Sequence, residues 1–147
     1  MIAAVLDANV LASGIVGAQK QASTPGQLLQ AWREERFTLV VSEHLLGELA
    51  RALTDSYFRR RLTPEQIARA QFLLRTDAVL TPITATVRGI ATHPEDDLVL
   101  ATAASVQPVY LVTGDQQLQR LGFYQDVTIL SPRAFLEVLT NEYGEGS

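Results

Sequence analysis

Short apolar runs alternate with capped helical patterns along almost the whole 147-residue chain, and nothing else restricts the fold as strongly. The runs at 2–6 (IAAVL), 37–41 (FTLVV), 108–113 (PVYLVT) and 127–130 (VTIL) have the length and content of buried strands. A weaker run, VLTPI, stands at 79–83. Helical patterns fill the spaces. Residues 24–36 combine a Thr24 cap, Pro25 in the first turn, and Leu28, Leu29 and Trp32 at helical spacing. Ser42 caps a segment with Leu45, Leu46, Leu49, Ala50 and Leu53 on one face. Thr63, Pro64 and Gln66 predict a capping box. Pro94 and the acids after it open another helix, where the helix dipole favours carboxylates. Gly122 closes a short helix, and Ser131 with Pro132 starts the last one. Strands that alternate with helices pair in parallel and need cover on both faces. The expected fold is therefore α/β: a mainly parallel sheet of about five strands flanked by helices on both faces. One domain is expected over residues 1–140, with 141–147 a flexible tail.

Composition narrows the chemistry. Hydrophobic residues make up 47%, enough for a core. The absence of cysteine excludes disulfides, thiolate zinc sites and a cysteine nucleophile, and suits a reducing compartment. No basic leader precedes the first apolar run, and no stretch approaches the roughly 20 apolar residues of a membrane span. A cytoplasmic protein with no membrane partner is expected. The net charge of −4 argues mildly against nucleic-acid binding by simple attraction. The charge is uneven: residues 1–75 carry nine bases against seven acids, and residues 76–147 three against nine. The basic run YFRRRL supplies Arg59, Arg60 and Arg61, which read either as a solvated helix end or as contacts to RNA phosphates.

The acids recur at element boundaries. Asp7 ends the first apolar run, and Asp115 follows another in YLVTGDQQL. Glu48 lies nearly two turns into the helix after Ser42, near Leu45 and Leu49. Asp96 and Asp97 occupy the first turn of a helix that continues as LVLATAA, apolar and small enough to be buried. Ligands of open parallel sheets bind beyond the carboxyl ends of the strands. Carboxylates gathered there raise one another's pKa, and a divalent cation relieves the repulsion. Oxygen donors without cysteine select Mg²⁺ or Mn²⁺. Setting those five acids aside turns the net charge from −4 to +1, so a phosphodiester can approach a cation-filled site. Each acid also has a plainer reading. Asp7 is then a turn residue, Glu48 a solvated or ion-paired side chain beside Arg51, Asp96 a dipole partner, and Asp115 a helix cap.

VLDANVL, SEHLLGELARAL, HPEDDLVLATAAS and YLVTGDQQLQRL resemble, in order and spacing, the four acidic motifs of PIN-domain ribonucleases. The nearest likeness is to the VapC-like toxins of type II toxin–antitoxin pairs, and ILSPRAFLEVL resembles that group's C-terminal end. The resemblance spans residues 2 to about 139 and implies an Mg²⁺- or Mn²⁺-dependent endoribonuclease. It assigns Asp7 as the first metal ligand, Glu48 as the second acid, Asp97 as the third and Asp115 as the fourth. Asp96 competes with Asp97, and the phasing of the small residues favours Asp97. Asn9 and Thr113 match supporting polar positions. The implied reaction is hydrolysis of RNA by a metal-activated water, leaving a 5′-phosphate and a 3′-hydroxyl. The implied partners are RNA, a cognate antitoxin that sets an Arg against the acids, and a second copy packed on the helices near Leu45–Leu53 and Leu73–Leu74. Two other classes remain open: a catalytically silent PIN-like module that binds RNA or protein, and a phosphatase of the haloacid-dehalogenase type. The phosphatase motif wants Asp-x-Asp and a later lysine, whereas this chain has Asn9 and a single lysine at position 20. Of the two histidines, His44 is expected at the surface and His93 beside the site.

Overall fold

A computed structural model of the chain describes residues 2–20, 23–91 and 94–143. Six strands form one sheet: β1 (Ala3–Leu6), β2 (Thr38–Val41), β3 (Val79–Leu80), β4 (Val109–Val112), β5 (Phe123–Tyr124) and β6 (Val127–Leu130). Their order is β3-β2-β1-β4-β6-β5, and every pairing is parallel except β5 with β6. Successive strand residues face opposite sides of a sheet. Ala4, Val5 and Leu6 are all buried, as are Leu39, Val40 and Val41, so both faces are covered. Eight helices among the described residues provide the cover, as expected for the α/β class.

Two strands differ from expectation at the sheet's edges. The weak run at 79–83 contracts to Val79–Leu80, because Pro82 has no amide with which to extend a ladder. A sixth strand, β5, is only two residues long, too short to leave a periodic signal. Gly122 (φ 78°) and Gln125 (φ 53°) bracket it and turn the chain back onto β6.

One long helix was not legible as a pattern, besides the single turn Ser56–Arg59. It is α1 (Ala8–Lys20), which carries glycines at 14 and 17 that weaken helical propensity. Those glycines have a packing reason. α2 (Thr24–Arg33) crosses α1 so closely that a Cβ on Gly26 would sit 2.6 Å from the Gly17 carbonyl carbon. α2 is capped by Ser23, whose hydroxyl accepts the Gly26 amide at 3.0 Å, not by Thr24. Gly26→Ala is expected to destabilise the protein by about 1–3 kcal/mol despite alanine's better propensity, since backbone atoms cannot step aside. A urea midpoint equal to or above wild type would contradict this.

The remaining helices are α3 (Glu43–Ala52), α4 (Ser56–Arg59), α5 (Pro64–Asp77), α6 (Pro94–Ala104), α7 (Gln116–Leu121) and α8 (Pro132–Tyr143). The Ser42 cap, the Thr63–Gln66 capping box and the Ser131 cap all form. At the N-terminus of α3, Ser42 hydrogen-bonds Thr102 of α6 at 2.9 Å, and both side chains are buried. That bond ties two acid-bearing helices together. Chain order reverses at β1, with β2 and β3 to one side and β4, β6 and β5 to the other. The crevice beyond the carboxyl ends of β1 and β4 is where such a sheet receives a ligand.

Candidate active site

Asp7 stands in that crevice because β1 delivers it there. Its amide donates to the Val112 carbonyl of β4 at 3.0 Å, so strand pairing continues up to the acid. Its Oδ1 then accepts the Val10 amide at 3.0 Å and caps α1. Its Oδ2 accepts the hydroxyl of Thr113, which is fully buried just after β4. The same hydroxyl oxygen accepts the Asp115 amide at 3.0 Å. Thr113 thus joins the two strand ends that carry acids. Asp115 caps α7 through Oδ1, accepting the Gln117 and Leu118 amides at 2.8 and 3.1 Å.

Burial pushes the Asp7 carboxyl above the usual carboxylate range. The hydrogen bonds from Thr113 and Val10 pull it partly back, and the charges of Asp96 and Asp115 push it further up. Asp7, Asp96 and Asp115 therefore form one electrostatic neighbourhood. Asp96 and Asp115 also line a small cleft of about 90 Å³ with Ile90, Ala91, Leu118 and Leu121.

Asp97, the neighbour expected as third ligand, is held by backbone amides. Its Oδ2 accepts the Gly89 amide at 2.9 Å, and its Oδ1 accepts the amides of Ile90 and Ala91 at 3.2 and 2.7 Å. Helical geometry separates it from Asp96, since successive residues point about 100° apart.

Glu48 does not line the cleft that holds Asp96 and Asp115. With Ala8, Asn9, Arg51 and Ala52 it lines an open cleft of about 440 Å³. Its Oε1 is 3.3 Å from His44 Nε2, one helical turn away. The sequence reading missed this contact, although the i, i+4 spacing was visible. Asn9 itself is exposed. Arg59, Arg60 and Arg61 are exposed and line neither acid-bearing cleft. Arg61 folds back on its own segment, donating to the Tyr57 carbonyl at 2.8 Å and lying 3.6 Å over the Tyr57 ring. His93 lies outside the described residues. Trp32 and Phe37 belong to the core, and so do Leu45, Leu46, Leu49, Leu53 and Leu74, which packs them within the chain itself.

Among the described residues, no three acidic or imidazole groups already stand close enough to hold a single ion. No helix among them is long and apolar enough to cross a membrane.

A family model described as the PIN domain matches residues 3–117, from β1 to the start of α7. No curated protein and no solved structure matches the chain. The PIN domain is a nuclease-type fold. The matched span takes in Asp7, Glu48, Asp96, Asp97, Thr113 and Asp115, and with it most of the sheet: the chain belongs to the PIN-domain family.

Proposed function

We propose that this chain is an endoribonuclease that hydrolyses RNA phosphodiesters with the aid of Mg²⁺ or Mn²⁺, and that it serves as the VapC-like toxin of a toxin–antitoxin pair. The observation that carries the reading is Asp7. It is a largely buried carboxylate at the switch point of a parallel sheet, raised in pKa by burial and by Asp96 and Asp115. Among the described residues no Arg or Lys forms an ion pair with it. A carboxylate in that setting is stabilised by an external cation, and an all-oxygen donor set suits a hard one. In this reading Asp7, Asp96 and Asp115 hold the cation, with Glu48 approaching from the adjoining cleft. Uncompensated carboxylates repel, so their side chains draw together when the charge between them is neutralised. The chemistry such a cation supplies is water activation and neutralisation of phosphate charge.

The chain's own residues do the positioning. Thr113 orients Asp7 Oδ2 and at the same time fixes the start of the Asp115 turn. Thr113→Val keeps the shape but removes the hydroxyl. It is expected to lower the cleavage rate roughly 10–100-fold, as loss of a group that orients a ligand does. It is also expected to cost about 1–3 kcal/mol through the unpaired buried groups left behind. Cleavage kinetics and urea unfolding on the same preparation check both numbers.

The defining test is incubation of the protein with a short unstructured RNA in Mg²⁺ or Mn²⁺. Internal cleavage is expected, lost in EDTA and regained with excess Mg²⁺. RNA retained but uncut points to a silent binding module, and hydrolysis of a small phosphomonoester points to the phosphatase class. For the toxin role, expression is expected to arrest growth, Asp7→Asn to relieve the arrest, and a co-expressed small neighbouring protein to suppress it. A homodimer belongs to the same proposal. Exposed Phe72, Val79 and Leu80 offer apolar surface for it, and light scattering measures the mass.

A further inference from the structure

Three consecutive amides, those of Gly89, Ile90 and Ala91, converge on the Asp97 carboxylate. Both oxygens are occupied, and Asp97 is only 9% exposed. Successive amides aim at one anion when the backbone between them changes hand, and Gly89 at φ 70° makes that change. Bonds from amides to an ionised carboxylate are stronger than neutral ones, which offsets the burial of its charge. The loop is thereby fastened to α6, one residue from Asp96.

What the loop presents is apolar. Ile90 is 42% exposed and lines the small cleft with Asp96 and Asp115, and Leu121, 39% exposed, lines it as well. An exposed branched side chain held rigidly beside two carboxylates contributes little to the core. Such a surface suits a flat apolar group with a phosphate attached, the phosphate directed at the acids. Resting on the ribonuclease reading, we propose that the 89–91 loop is the base-facing wall of the RNA cleft. Ile90 contacts the nucleotide beside the scissile phosphate. Asp97 is a positioning residue that holds this wall, and it does not ligate the cation.

The test separates wall from ligand. In a protein otherwise native, Asp97→Asn offers the three amides a weaker acceptor, and hydrogen exchange at residues 89–91 is expected to accelerate at least about tenfold. Its Mn²⁺ affinity, measured by calorimetry, is expected to stay within about threefold of wild type. Asp96→Asn is expected to lose about tenfold or more, on the scale known for groups around a metal. Ile90→Ser, a surface change that leaves folding intact, is expected to raise KM for a short RNA roughly 3–10-fold with kcat little changed, on the scale of lost contact with a base. Equal losses of Mn²⁺ affinity in Asp97→Asn and Asp96→Asn overturn the proposal, as does unchanged exchange at 89–91. A wild type that cleaves RNA with the same KM as Ile90→Ser overturns the wall and leaves the ribonuclease reading standing. A wild type that neither binds nor cleaves RNA overturns both.

Discussion

Asp7→Asn is expected to reduce RNA cleavage by more than about 100-fold, because even groups that merely orient a metal ligand cost 10–100-fold when lost. The same variant is expected to melt at a higher temperature than wild type at pH 7. Asp7 has a folded-state pKa above its unfolded value, chiefly through burial. The native state therefore holds this proton more tightly than the unfolded chain does. The stability that Asp7 contributes is complete below the unfolded pKa of about 3.8 and is lost as pH rises through the folded value. At neutral pH the ionised side chain opposes folding, and the charges of Asp96 and Asp115 add to the opposition. Asparagine removes the charge and keeps an oxygen for the Val10 amide. The gain in melting temperature should shrink as pH is lowered through the folded-state value, where wild-type Asp7 takes up its proton. Excess Mg²⁺ should narrow the gap as well, by stabilising only the wild type. A variant less stable than wild type across the whole range would remove the electrostatic basis of the site. Loss of activity with gain of stability is the pattern of a functional group held at the expense of the fold.

Phe135→Ala is expected to cost about 3–5 kcal/mol, the scale for emptying a fully buried aromatic position. Phe135 belongs to α8 and is completely buried. Its ring meets Phe37, just before β2, edge-on at 5.2 Å and 87°, and Tyr110 of β4 at 5.4 Å and 50°. Edge-to-face contacts of this kind add to the burial of apolar area. One side chain thus ties the last helix to two central strands, and β4 leads directly into Thr113 and Asp115. Domains of this size are stable by roughly 5–15 kcal/mol, so the loss is a large share of the total. Urea unfolding is expected to show a lower midpoint with an unchanged slope. A cost under about 1 kcal/mol would mean that α8 is not part of the cooperative unit. The point matters because Phe135 lies beyond residue 117, where the family match ends, although β6 and α8 complete the sheet and core.

Much of this was legible along the chain, for local reasons. Caps at Ser42, Thr63 and Ser131 are set by side chains reaching amides three residues on, so a short window suffices to find them. The apolar runs of β1, β2, β4 and β6 stand out because strands buried on both faces carry no polar alternation. α1 stayed hidden because its glycines answer to α2, an encounter between segments that no local pattern records. The same holds for β5, which exists only through its pairing with β6.

The residues themselves determined that acids end β1 and follow β4, that two more open α6, and that the sheet is parallel and covered on both faces. Those are consequences of adjacency in the chain, of hydrophobic period and of capping chemistry. Only the tertiary structure decided which of two neighbouring aspartates faces Asp7 and Asp115. Asp97 is claimed by a loop several residues before it, through amides whose direction depends on the backbone turn at Gly89. Asp96, one helical step away, lines the cleft with Asp115. A rotation of about 100° along a helix is invisible to a carboxylate count, and the partner that selects one face is supplied by the fold.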